Sequence, residues 1–204
     1  MADGQWRMRL LVVATVIASV LIAVLAIQKR ELQERVAELW ADANLPQVGT
    51  YLPALALATL EGDPVQLGQG NAPQILVVLT TTCPYCLASL PTWQALADSA
   101  LTVGARFVGI VLDSVTKAVA YRQEHQLAFP LVVFEERRQR ALYRAGTVPQ
   151  TLVLDREGRV RHAAFGVFDR PTAVDSVLAT VRLLQNEHAR ALEDSARASP
   201  TEGS

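Results

Sequence analysis

Residues 74–86 read QILVVLTTTCPYC. The apolar run from Ile75 to Leu79 has no polar alternation, the mark of a strand buried on both faces. Thr80 to Thr82 lead out of it into Cys83-Pro84-Tyr85-Cys86, where Pro84 to Ala100 take up helical spacing, with a kink expected at Pro91. Pro84 has no backbone donor, which suits the first helical turn. A C-x-x-C at a strand-to-helix turn is the pattern of thiol–disulfide redox chemistry. The first sulfur stands at a helix N-terminus, where unpaired amides and the macrodipole favour a thiolate. The spacing lets the second sulfur close a disulfide with the first. Cys83 is therefore the expected nucleophile and Cys86 the resolving thiol. A static disulfide is the bland alternative, but so small a loop adds little stability. A metal site would need two further ligands, and His125, His162 and His188 have no suitable local spacing. No metal and no cofactor is assigned.

Working outward, Leu52 to Leu60 and Val65 to Leu67 flank the turn Glu61-Gly62-Asp63-Pro64, which predicts a hairpin. Arg106 to Leu112 is a second continuous strand and Val115 to Gln126 an amphipathic helix. Leu131 to Phe134 predicts a short strand, Arg137 to Ala145 a short helix, and Gln150 to Leu154 a strand. Asp155-Arg156-Glu157-Gly158 turns into Arg159 to Phe165, and a last helix opens at Arg170 or Pro171 and runs into the 180s. Buried strands alternating with helices, closed by a hairpin and a helix, predict an α/β fold with a mixed sheet.

The chain has 204 residues, a formal net charge of −1, 50% hydrophobic and 19% charged residues, and two cysteines. That is room for one ordinary domain and a short extra element. The apolar fraction excludes a disordered chain. Two cysteines exclude a disulfide-stapled mini-scaffold. The near-neutral charge argues against a nucleic-acid partner.

The extra element lies at the front. Leu10 to Ile27 carries no charge and only Thr15 and Ser19 as polar interruptions. At about 1.5 Å per residue this is about 27 Å of helix, close to the ~30 Å hydrocarbon core. It reads as one membrane-spanning helix, taken as an anchor over 10–28 behind an N-terminal flank at 1–9. A cleaved signal peptide, with Val24 and Ala26 as a weak cleavage site, is the alternative. Arg7 and Arg9 before the span and Lys29, Arg30 and Arg35 after it nearly balance, so charge does not decide the orientation. An amphipathic stalk over 29–47 carries Leu32, Val36, Leu39 and Trp40 at helical spacing. Its stripe can lie on the bilayer, pack on the domain, pair with a second copy as a dimer, or merely space the domain from the membrane. The domain is expected over 48–190 and a flexible tail over 191–204.

With these residues in place the chain resembles the thioredoxin superfamily, and within it the membrane-anchored TlpA/ResA-like thiol–disulfide oxidoreductases related to the AhpC/TSA group. The resemblance covers about Val48 to Gln185. It is carried by Leu60-Glu61-Gly62-Asp63-Pro64-Val65, LVVLTTTCPYC, Leu90-Pro91, VGIVLDS, and Gly146-Thr147-Val148-Pro149-Gln150-Thr151 running on to Asp155. It implies a thioredoxin-like fold, a central mixed sheet flanked by helices, and a cis peptide before Pro149 beside the cysteines. The Val148 backbone would pair with an extended client chain. Pro84 and Tyr85 complete the expected substrate-binding residues. The implied chemistry is attack on a disulfide, a mixed disulfide at Cys83, and resolution by Cys86.

The resemblance also implies location and partners: the inner membrane, a domain facing the periplasm, cysteine-containing exported clients such as c-type haem or copper proteins under maturation, and a membrane electron donor or acceptor. Departures bear on direction. Thr82 stands where thioredoxins usually carry Trp, Val77 where they carry a buried acid, and Ser89 where ResA-like proteins place a glutamate. Pro84-Tyr85 resembles glutaredoxins, and Val148 is shared with oxidases of the DsbA kind. The TlpA-like frame points back to a reductant. Two other functions fit parts of the pattern. A peroxiredoxin-type peroxidase would use Thr80 three residues before Cys83, although its proline falls on Leu76. A non-catalytic assembly factor would use the pair to bind a metal or dock an apoprotein.

Overall fold

The computed structural model describes residues 17–22, 24–29 and 45–198. The chain divides into two compact units, Met1–Ala43 and Asn44–Ser204. In the first, residues 17–22 and 24–29 are helical, and Ile17, Ile22, Leu25 and Ile27 are exposed. Among the described residues no helix is long and apolar enough to cross a membrane. The flank at 1–9 and most of the expected anchor and stalk lie outside the described residues.

In the second unit β1 (Leu55–Ala58) and β2 (Pro64–Leu67) form an antiparallel hairpin. Leu52, expected in its first strand, instead donates its amide to the Gly158 carbonyl at 2.8 Å. Gly158 has φ +90, and a Cβ there would stand 2.6 Å from the Leu52 carbonyl oxygen, so this approach requires glycine. The main sheet holds β3 (Gln74–Leu79), β4 (Arg106–Val111), β5 (Leu131–Val133), β6 (Gln150–Leu154) and β7 (Val160–Phe165) in the order β5-β4-β3-β6-β7. β3, β4 and β5 run parallel, while β6 and β7 join antiparallel to their neighbours. The predicted mixed sheet is present.

All six residues of β3 are buried, because both faces of this central strand are covered. Ile75, Val77 and Leu79 point to one cluster with Cys86, Trp93, Val177 and Val181. Leu76 and Val78 point to the other, with Leu52, Val65, Leu67 and Tyr143. The first face is covered by α1 (Pro84–Thr102), α2 (Val115–His125) and α4 (Pro171–Ala198). The second is covered by the hairpin and by Tyr143 and Ala145, which follow α3 (Arg137–Leu142). The helix α1 contains Pro91 and ends at Thr102. One expectation needs correction. Residues 191–198, expected as the start of a flexible tail, extend α4 to Ala198, since no Gly or Pro interrupts strong helix formers before Pro200.

Candidate active site

The sheet brings distant parts of the chain to one end. β3 and β4 are parallel with Leu79 opposite Val111, so both strands release their next residues at the same edge. β6 is antiparallel with Val78 opposite Gln150, so the segment entering β6 meets the segment leaving β3. The Thr80–Cys86 turn, Asp113 and the Val148–Pro149 peptide therefore share one edge. β7 ends there too, because the Gly166 amide donates to the Pro149 carbonyl at 3.1 Å.

Cys83 is the N-cap of α1, with extended backbone (φ −81, ψ 116), and Pro84 opens the helix. Its sulfur accepts the Cys86 amide at 3.4 Å, and its carbonyl accepts the amides of Cys86 and Leu87, each at 3.1 Å. The Cys86 amide is one a helix leaves without an internal partner, and the Leu87 bond is the first of the helix ladder. Cys83 is half-buried, Cys86 fully buried, and the two thiols are not joined. The Cys83 side chain is thus partly accessible and that of Cys86 is not. Burial pushes the Cys86 thiol up to about 12; a backbone hydrogen bond from Thr80 opposes this, while Cys83 and the negative charge of Asp113 add to it.

Tyr85 is 62% exposed and Pro84 is exposed beside it. Val148 is half-buried against both core clusters, and its peptide bond to the buried Pro149 is cis. The structure thus gathers Cys83, Cys86, Val148 and Pro149 at one edge, with Pro84 and Tyr85 on its outer side. Among the described residues no group of three or more His, Cys, Asp or Glu could hold a metal.

Several supporting residues complete the site. The Asp113 carboxylate accepts the Thr81 amide at 2.6 Å and ties the end of β4 to the cysteine turn. Gln150 donates to the carbonyls of Thr147 at 2.8 Å and Arg144 at 3.1 Å, fixing the loop before Pro149. Ser89 is wholly buried, donates to the Tyr85 carbonyl and accepts the Phe168 amide, both at 2.9 Å. Its hydroxyl is thus committed to holding the 166–168 segment against α1 and does not replace a carboxylate. The Trp93 indole donates to Thr151 Oγ1 at 3.0 Å, linking α1 to the strand that carries Pro149. The Asp113–Thr81, Ser89–Phe168 and Trp93–Thr151 bonds join residues 32, 79 and 58 positions apart, which local patterns do not mark.

The AhpC/TSA family model matches residues 48–163, more than half of the chain, spanning both cysteines and Pro149. The sequence is 27% identical over 160 residues to the methylamine utilization protein MauD of Methylobacillus flagellatus, covering 74% of this chain and 75% of that protein. StoA from Bacillus subtilis shares the fold with a TM-score of 0.55 at 20% identity, over 63% of this chain and 96% of that one. Peroxidoxin BcpB from Mycobacterium tuberculosis gives 0.55 at 22% identity, over 67% and 97%.

Proposed function

The chain belongs to the AhpC/TSA family, and we propose that this thioredoxin-like oxidoreductase is a membrane-anchored, extracytoplasmic reductant of disulfides in exported proteins. One observation carries the exchange chemistry. Half-buried Cys83 caps the helix in front of fully buried Cys86, at the sheet edge that also carries the cis Val148–Pro149 peptide. Cys83 attacks a client disulfide and forms a mixed disulfide. Cys86 attacks Cys83 Sγ, and the client sulfur leaves with the bonding electrons and takes up a proton. Two electrons pass from the cysteine pair to the client, and a membrane donor must return them. The Val148 backbone would hold the client as an added extended strand.

Membrane attachment rests on the uncharged stretch Leu10 to Ile27. The placement outside the cytoplasm and the reducing direction rest on the TlpA/ResA-like resemblance. The reduction potential of the Cys83–Cys86 pair tests the direction. A value toward about −270 mV supports a reductant, and one near −120 to −180 mV makes the protein a disulfide donor or isomerase. Accessibility of Cys83 to a membrane-impermeant thiol reagent in intact cells tests the topology.

Family membership and the likeness to peroxidoxin BcpB favour a second reading, a thiol peroxidase. Cys83 would then be oxidised by peroxide to a sulfenic acid that Cys86 condenses to the disulfide, releasing water. Peroxide consumption coupled to a dithiol reductant separates the two.

A further inference from the structure

The segment that delivers Val148 and Pro149 to the site carries a concentration of positive charge. β3, β4 and β5 end level, with Leu79 opposite Val111 and Val111 opposite Val133, and β6 starts level with them, with Gln150 opposite Val78. Residues 135–149, which join β5 to β6 and contain α3, therefore leave and re-enter the sheet at the edge that holds the cysteines. This crossover is tied down along its length. Arg140 Nε donates to the Phe134 carbonyl at 2.7 Å and the Tyr143 hydroxyl to the Pro53 carbonyl at 2.8 Å, and Gln150 holds the carbonyls of Arg144 and Thr147.

The crossover holds four arginines and two glutamates, in a chain whose formal net charge is −1. Both carboxylates are engaged by backbone amides: Glu135 accepts that of Val115 at 3.5 Å, and Glu136 accepts that of Gln139 in a capping box. Arg137, Arg138 and Arg144 are exposed. Among the described residues none of the three is ion-paired, and Arg144 donates only to the Leu45 carbonyl, at 3.5 Å. The other charges at this edge cancel, Asp113 and Asp169 against Lys117 and Arg170, and the turn Thr80–Cys86 has none. The excess is thus confined to one side of the site, on a fixed support.

That side is continuous with the backbone that would hold a client. Arg144 and Val148 are joined by a stretch of chain that spans at most about 14 Å, a distance that about four residues of an extended client cover. We propose that the β5–β6 crossover is an electrostatic docking surface for clients that carry acidic residues within a few positions of the cysteine that Cys83 attacks. Arginines without a partner on a rigid support suit carboxylates, and charge complementarity of this kind acts mainly on encounter. Its effect belongs in the rate of mixed-disulfide formation and fades as salt screens it. The proposal rests on the exchange reading and narrows its substrate class.

The test uses the full-length reduced protein and peptides whose single cysteine is carried as a disulfide to thionitrobenzoate. The flanking residues are glutamate, glutamine or lysine. Attack by Cys83 forms the bond to the peptide sulfur, and thionitrobenzoate leaves with the electrons of the broken bond. At low salt the glutamate peptide should react about tenfold faster than the lysine peptide, and in about 1 M salt the two should converge. In the double variant Arg137→Glu/Arg138→Glu the order should reverse, with the glutamine peptide correcting each protein for any general change in reactivity. Wild-type rates for the two charged peptides within about twofold of each other at low salt overturn the proposal, and so does a preference that the double variant keeps. Equal rates together with sedimentation on phosphatidylglycerol vesicles that depends on the two arginines would assign the surface to lipid and also overturn it. Ellman's reagent tests the premise separately, since attack by Cys83 releases a first thionitrobenzoate and resolution by Cys86 a second. Wild-type protein that releases only one would overturn the exchange reading itself.

Discussion

At the scale of single residues, the site depends on groups whose partners are far apart in the chain. Ser89 shows this most directly. Its sequence position is that of a glutamate in ResA-like proteins, yet its hydroxyl bridges the Tyr85 carbonyl and the Phe168 amide, 79 residues away from Ser89. Ser89→Ala should leave that buried amide unpaired and destabilise the protein by about 1–3 kcal/mol. Urea denaturation measures this, and a change close to zero would show that the bridge carries little. The cysteines were legible because strand, turn and C-x-x-C are contiguous. Asp113 was visible only as part of a resemblance, since its contact with Thr81 depends on the pairing of β3 with β4.

At the scale of elements, apolar runs and spacing located each strand and helix of the domain to within a few residues. The largest departures were at ends. Leu52 left the hairpin to bond Gly158, and α4 continued to Ala198 on helix propensity although residues 189–197 are exposed. The link between α1 and β6 matters more to function. Trp93 is fully buried, and its indole reaches Thr151 two residues after Pro149. Trp93→Phe keeps an aromatic ring but removes this bond and leaves a void, at a cost of about 2–4 kcal/mol. The same variant should slow mixed-disulfide formation, because the cis-proline segment loses its tie to the cysteine helix. Thermal unfolding and the first Ellman phase measure the two effects, and an unchanged rate at reduced stability would confine Trp93 to packing.

At the scale of the whole molecule, the buried Cys86 thiol couples redox state to stability. Cys86 holds its proton up to about 12 in the folded protein, against an ordinary value of 9.0. Above pH 9 the unfolded chain has lost a proton that the native chain keeps, so stability is full below pH 9 and falls as the pH rises toward 12. Reduced wild type should lose stability between pH 9 and 10 relative to reduced Cys86→Ala, whereas the oxidised protein, which has no such proton, should not. Parallel slopes for the reduced proteins would overturn this account. The sequence alone determined the α/β class and the order of elements and marked Cys83 and Cys86 as the candidate redox pair, because these follow from periodicity and short-range spacing within single segments. Only the tertiary structure decided which side chains complete the site. Parallel pairing of β3 with β4 and antiparallel pairing with β6 bring Thr80–Cys86, Asp113 and Val148–Pro149 to one edge. Burial of Cys86 and the commitment of Ser89 follow from how the helices pack on the sheet, and local sequence does not encode such contacts.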